Sequence, residues 1–173
     1  MKVVSFIVLV SLTALATPAL ADVRPPPLRV VEDKTPPAAR MWMWASVNAM
    51  KKADVELAGK LCDPRGYTTN LVGGSGNPLE SLFAQGAKKG WHLVANFDQT
   101  KKLADDKGVI LRTTVRNNED NKILDEVYVL LIKTTDVDGA TRWVALGAGE
   151  KLAQVEALAA RFVEGKPLAP PTE

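Results

Sequence analysis

The spacing of apolar residues changes about halfway along the chain. Before residue 90, apolar residues recur every three or four positions, which is the spacing of amphipathic helices. From residue 91 to residue 148 they recur every second position or form unbroken runs, as in β-strands. Residues 150–164 return to helical spacing. The order of helices, then strands, then one helix predicts an α+β domain.

The strongest strand signal lies in residues 125–146, DEVYVLLIKTTDVDGATRWVAL. Residues 127–132 are all apolar, which predicts a central strand that is covered on both faces. Strands are predicted at residues 91–97, 109–116, 123–135 and 141–148, with a short one near 67–72. Because turn clusters join the four main strands directly, they form an antiparallel meander. We expect an antiparallel sheet of four or more strands.

The N-terminal helices are delimited by capping residues. Helix 1 is predicted from Pro37 or Ala38 to about Lys52. Met43, Val47 and Met50 would lie on its buried face with Trp44 beside them, and Trp42 would point elsewhere. A second short helix over 55–62 follows Asp54 as its N-cap, and a turn is predicted at 63–66.

The later helices carry equally local signals. Asn77, Pro78 and Glu80 form an N-cap, a favourable first position and a capping box for a helix that ends at Gly90. The loop at 73–76 lacks the lysine of a phosphate-binding loop and is interpreted as a connection. The final helix places a stripe of five apolar residues on one side: Leu152, Val155, Leu158, Ala159 and Phe162.

The first 21 residues have the pattern of a cleavable secretory signal. Lys2 is followed by an apolar run from Val3 to Leu15 and by Ala19-Leu20-Ala21, which predicts export to a bacterial periplasm. The alternative is an uncleaved membrane anchor, which the shortness of the run disfavours. A Pro-rich leader at 22–37, a single α+β domain at 38–165 and a flexible tail at 166–173 complete the predicted organisation.

Charge and cysteine content exclude several classes of protein. Removal of Lys2 with the signal leaves 21 basic against 20 acidic residues, so nucleic acid is not an expected partner. Cys62 is the only cysteine, which excludes an intramolecular disulfide. We interpret Cys62 as a small buried hydrophobe rather than a reactive thiol.

The order of elements over about residues 38–149 resembles the nuclear-transport-factor-2-like (NTF2-like, SnoaL-like) superfamily. The residues that carry the resemblance are 43–62, with a break at 52–54, the helix from Asn77, the strands after Trp91 and the ending Trp-Val-Ala-Leu-Gly at 143–147. The helix after Gly149 departs from that pattern and is a candidate to cover the open mouth of the cone. The resemblance implies a pocket between the helices and the concave sheet face, used for catalysis, ligand binding or protein contacts.

Few residues suggest catalysis. His92 is the only histidine, so a histidine-based zinc site has no second ligand, and the Asp136, Asp138, Gly139 turn lacks the other ligands of a calcium loop. No metal or cofactor is therefore expected. Asp125 begins the central strand, on the face opposite Glu126, and the resemblance makes it a candidate general base.

Five aromatic residues are candidates for the walls of an apolar pocket: Trp44, Phe83, Trp91, Tyr128 and Trp143. The leading hypothesis is a non-catalytic periplasmic protein that binds a small apolar ligand or a partner protein on the concave sheet face. The partner would be an exported toxin, with the chain as its immunity protein, or an envelope complex. A homodimer through the sheet is compatible with either. The alternative is a small cofactor-independent isomerase, cyclase or hydrolase in which Asp125 or His92 moves the proton.

Overall fold

The computed structural model describes residues 35–68 and 77–168, all within one compact unit. The predicted signal peptide, most of the leader, the loop at 73–76 and the end of the tail lie outside the described residues. The helices are α1 (Pro37–Lys51), α2 (Val55–Lys60), α3 (Pro78–Lys88) and α4 (Leu152–Val163), with a short 3-10 turn at Ala104–Asp106. The strands are β1 (Cys62–Thr68), β2 (Trp91–Lys102), β3 (Gly108–Asn117), β4 (Ile123–Thr135) and β5 (Thr141–Gly149).

The five strands form one sheet in the order β1-β5-β4-β3-β2. β2 to β5 make the predicted antiparallel meander, and β4 lies at its centre. β1 joins the far edge parallel to β5, so the sheet is mixed. The predicted α+β class is confirmed, with three helices before the meander and one after it.

β1 begins five residues earlier than its sequence indicates. Residues 63–66 were predicted as a turn, but they belong to the strand and form an irregularity in its pairing, between Cys62 and Tyr67. Pro64 is tolerated there because β1 is an edge strand, where a missing N–H breaks no ladder. Asp63 holds this segment by accepting bonds from the backbone N–H and the guanidinium of Arg65, at 2.8 to 2.9 Å.

One face of the sheet packs against α1, α2 and α3. The buried stripe of α1 includes Ala39, Trp42, Ser46 and Met50. The prediction that Trp44 faces the core and Trp42 does not is therefore wrong, since Trp42 is 3% exposed and Trp44 is 73% exposed. The small residues of the stripe are only weakly hydrophobic and gave little signal in the sequence. The predicted buried face was therefore centred about one residue closer to the C-terminus than the observed one.

The opposite face of the sheet packs against α4. Ile110, Leu130, Ile132, Val144 and Leu146 form a second core with Val155, Leu158 and Ala159 of the helix. The suggestion that this helix covers the mouth of the cone is not what the structure shows, because it lies behind the sheet. Leu168, which the sequence assigned to the loose tail, packs against this core as well.

The predicted N-caps are present, but the predicted capping box is not, since the Glu80 side chain makes no hydrogen bond with the backbone N–H of Asn77 among the described residues. Asp54 accepts a hydrogen bond from the N–H of Leu57, and Asn77 accepts hydrogen bonds from the N–H groups of Leu79 and Glu80.

Among the helices that the structure describes, none combines the length and apolar character needed to cross a membrane.

Candidate functional site

A cavity of about 590 Å³ lies between the helices α1 and α3 and the face of the sheet that packs against them, at the end where β4 begins and β1, β3 and β5 finish. The end of α1 contributes Met50, and α3 contributes Leu82, Phe83 and Gly86. The volume falls in the range of about 300–1,000 Å³ that is typical of small-molecule sites.

Most of the cavity wall is apolar. The sheet supplies Leu93, Val115, Val127, Val129 and Ala148, each on the face that points towards α1 and α3. The polar or charged lining residues are grouped towards the strand ends: Thr68, His92, Asn117, Asp125 and Glu150. An apolar body with few polar groups would match these walls.

The structure separates the five aromatic candidates. Phe83 and Trp91 line the cavity together. The described cavity wall does not include the other three. Trp44 lies on the outer side of α1. Tyr128 packs against the core between the sheet and α4. Trp143 is half-buried and packs against the other core, between the sheet and the three N-terminal helices. Tyr128 fails because its even position on β4 places it on the face opposite Val127 and Val129.

His92 is one of the polar lining residues and is almost fully buried, at 3% exposure. Its Nδ1 lies 2.8 Å from Oδ1 of Asn118, whose Nδ2 donates to the carbonyl of Met50 at 3.4 Å. Because that amide donates through nitrogen, its oxygen must accept, and Nδ1 of His92 carries the proton. Nε2 is then an acceptor with an available lone pair.

The surroundings of His92 also keep it neutral. Burial lowers the pKa of the imidazole, and the positive charges of Lys51 and Arg116 lower the pKa further. The hydrogen bond with Asn118 acts in the opposite direction but does not outweigh them. The ring is therefore uncharged at neutral pH.

Asp125 lies at the entrance of the same cavity and is exposed to solvent. The pairing of β3 with β4 skips Leu124, so Leu124 and Asp125 both line the cavity. Glu126 pairs with Arg112, a β3 residue whose side chain points to the opposite face, which agrees with the predicted opposition of Asp125 and Glu126. The two proton-transfer candidates thus share one cavity, with one buried and the other at the rim.

Sequence reasoning missed Thr68 and Glu150 as lining residues. Thr68 pairs with Ala148 and shares its face, and its buried Oγ1 has no hydrogen-bond partner among residues 35–68 and 77–168. Thr68 reaches the cavity wall only because the pairing of β1 with β5 is irregular, and no sequence pattern predicts that irregularity. Glu150 follows directly after β5, so knowledge of the strand end would have identified it.

The remaining chemistry is sparse. Within the part of the chain that the structure describes, no group of three His, Cys, Asp or Glu side chains could hold a metal ion. Cys62 is buried, as predicted, and burial raises the pKa of its thiol to about 12. The nearby charges of Glu80 and Asp63 act in the same direction.

Neither protein-family models nor curated proteins match the sequence. Solved structures do resemble the chain at low identity. ActVI-ORFA from Streptomyces coelicolor has 7% identity and a TM-score of 0.48, covering 65% of this chain and 92% of its own. An NTF2-like protein with a cystatin-like fold from Novosphingobium aromaticivorans has 13% identity and a TM-score of 0.45, covering 70% and 82%. A ketosteroid isomerase-like protein from Erwinia carotovora atroseptica has 10% identity and a TM-score of 0.41, covering 65% and 91%.

The resemblance to NTF2-like proteins that the element order predicted is thus found again among solved structures.

Proposed function

We propose that this chain is an exported, non-catalytic protein that binds a small, largely apolar molecule in the cavity between α1, α3 and the sheet. The observation that supports this proposal is the cavity of about 590 Å³ with mostly apolar walls. The signal-like N-terminus supports a periplasmic location, which fractionation of the native host would test.

Binding in this cavity would be driven by burial of apolar surface. Each Å² of apolar surface removed from water contributes roughly 25 cal/mol, so a compact aromatic or aliphatic ligand gains several kcal/mol before its ordering costs. The cavity is bordered by helices and a sheet, which hold the walls in place.

A neutral fluorescent probe tests the proposal directly. N-phenyl-1-naphthylamine should brighten when mixed with the mature chain, because its emission rises in apolar surroundings. Gly86 on α3 lines the cavity, and a side chain there would project towards Met50 and Trp91. Gly86→Leu should therefore abolish the signal, whereas Ala157→Leu on the exposed side of α4 should leave it intact.

A second cavity-filling variant, Leu82→Trp, guards against a folding defect in the first. Circular dichroism and thermal melts would verify that both variants are folded. Probe binding that survives in two folded, cavity-filled variants would locate the site elsewhere and contradict the proposal.

Binding of a partner protein is a second candidate function, and it is favoured by an apolar surface that is separate from the cavity. Met41 and Trp44 of α1 are each 73% exposed and lie beside Val94 and Phe97 of β2, around a shallow groove. A pull-down from periplasmic extract should then retain a protein with the native chain but not with a Met41→Ser, Trp44→Ser double variant. Sedimentation of the same two proteins tests the homodimer, because self-association through this surface would disappear in the variant.

The enzymatic alternative has one observation in its favour, the presence of Asp125 and His92 in one cavity. One feature weighs against it. Asp125 is exposed, whereas a carboxylate base that works near neutral pH is commonly desolvated. If a candidate substrate is turned over, Asp125→Asn should abolish turnover without loss of stability, and unchanged turnover would eliminate that role for Asp125.

A further inference from the structure

We propose that the cavity selects an uncharged apolar molecule carrying a hydrogen-bond donor, such as a hydroxyl group, which donates to Nε2 of His92. This inference rests on the proposed function and adds the chemical class of the ligand. Two independent features of the cavity support it: the fixed tautomer of His92 and the charges around the cavity.

The hydrogen bonds around His92 determine what the ring can offer a ligand. Asn118 is oriented by its bond to the carbonyl of Met50, so it accepts from Nδ1. Nε2 is left as an acceptor, and it has no hydrogen-bond partner among residues 35–68 and 77–168. A neutral imidazole in this tautomer accepts through Nε2 and cannot donate there. A ligand with a donor group complements it, and a ligand with only an acceptor does not.

The charges of the lining residues decide against anionic ligands. Asp125 and Glu150 both line the cavity, and no described lining residue is a lysine or an arginine. A carboxylate ligand would lose its hydration in an apolar cavity and meet two like charges on the wall, where no lysine or arginine could pair with it directly. The charges near His92, on Lys51 and Arg116, belong to residues outside the described wall. The cavity is therefore suited to a neutral alcohol or phenol rather than to its carboxylate analogue.

Four probes of similar size separate these requirements. Naphthalene has no polar group, 2-naphthol is a donor, 2-methoxynaphthalene is an acceptor only, and 2-naphthoate is an anion. Calorimetric titration of the mature chain at pH 7.5 should find 2-naphthol bound roughly three- to tenfold more tightly than its methyl ether, the difference that one net hydrogen bond makes. The naphthoate should bind most weakly of the four.

The imidazole gives a direct readout, because His92 is the only histidine of the chain. In protein labelled with ¹⁵N-histidine, the free chain should show an unprotonated Nε2 and a protonated Nδ1. Addition of 2-naphthol should shift the Nε2 resonance, and addition of 2-methoxynaphthalene should not. His92→Phe should reduce the affinity ratio of these two probes to about one, while Gly86→Leu should block both.

The outcomes distinguish failure of this inference from failure of the proposed function. If no probe binds, or if filling the cavity does not block binding, the proposed function fails. If the probes bind in the cavity but the methyl ether binds as tightly as 2-naphthol, or the naphthoate binds most tightly, only the ligand class is wrong. An Nε2 resonance that does not respond to bound 2-naphthol would likewise remove His92 as the acceptor.

Discussion

The packing of α4 behind the sheet predicts a strong energetic coupling between Leu158 and Gly147. Leu158 is 3% exposed and lies directly over Gly147 of β5. A Cβ added at Gly147 would lie 2.3 Å from Cδ2 of Leu158 and 3.3 Å from the carbonyl oxygen of Tyr67. The absence of a side chain at Gly147 is therefore what allows the helix to approach the sheet.

The two single substitutions should each destabilise the protein, for opposite reasons. Leu158→Ala removes buried methyl groups and leaves a cavity, at a cost of about 2–5 kcal/mol. Gly147→Ala brings two carbons more than 1 Å inside their optimal separation of about 3.5–4.0 Å. Such overpacking costs about 1–3 kcal/mol, offset by about 0.5–1 kcal/mol from replacing a glycine within a strand.

The double variant should be more stable than the sum of the single effects indicates. With Leu158 shortened to alanine, the new methyl group at position 147 no longer meets Cδ2, and it fills part of the space left behind. These four proteins form a double-mutant cycle. The stabilisation from replacing glycine is the same with leucine or alanine at position 158, so it cancels when the coupling is calculated. We therefore expect a favourable coupling of about 1–3 kcal/mol between the two sites.

Urea unfolding of the four proteins, followed by tryptophan fluorescence and circular dichroism, measures this coupling. Leu152→Ala at the exposed start of α4 serves as the control partner for Gly147→Ala and should be additive within about 0.5 kcal/mol. Additivity of the Leu158 pair would show that α4 does not rest on Gly147. Leu158→Asp tests the same packing more severely, because it places an unpaired charge in the buried contact and should lower the melting temperature. An unchanged melting temperature would mean that the helix is peripheral.

Three further predictions follow from single residues. Gly86→Ala should raise the free energy of unfolding measured in urea by about 0.4–1 kcal/mol, since its Cβ meets Met50 Cε at an ordinary 3.5 Å and alanine favours the helix; a loss of stability would mean that the space at this position is too small for a methyl group. Cys62, whose pKa is raised to about 12 by burial, should react with iodoacetamide only after unfolding, and rapid labelling of the native chain would refute its burial. Because burial lowers the pKa of His92 in the folded state, the unfolded chain binds the proton more readily, and stability should fall as pH drops below the ordinary value of 6.5. His92→Gln should lose this part of the pH dependence in urea titrations, and an identical slope would contradict it.

The sequence predicted those parts of the fold that depend on local chemistry. Asp54 and Asn77 cap the helices as expected, because a side-chain oxygen that accepts N–H groups of the first turn acts within three residues. The central strand has the predicted bounds, Ile123–Thr135, because its apolar run must be covered on both faces. The helix at the C-terminus also packs through Val155, Leu158, Ala159 and Phe162 of its predicted stripe, whereas Leu152 is exposed.

The sequence could not predict features that depend on pairing between distant segments. The parallel addition of β1 to β5 joins residues about eighty positions apart, and nothing within 62–68 specifies that partner. The orientation of α1 was misjudged because Ser46 and Ala49 face the core without a strong apolar signal. Of the cavity residues, Phe83, Trp91, His92 and Asp125 were proposed from residue type, whereas Thr68 required knowledge of the register.

Register irregularities also explain how one sheet supports both a cavity and a second core. Every strand pairing contains a shift, and a bulge turns consecutive side chains to the same face while it bends the strand. On β5 the pairing skips Leu146, so Leu146 and Gly147 both face α4 and Ala148 turns back towards the cavity. Strict alternation would direct Ala148 towards α4 and Gly147 towards the cavity. Because of the position of the bulge, Gly147 lies under α4, where its lack of a side chain permits the close contact. The short methyl group of Ala148 then lines the cavity wall.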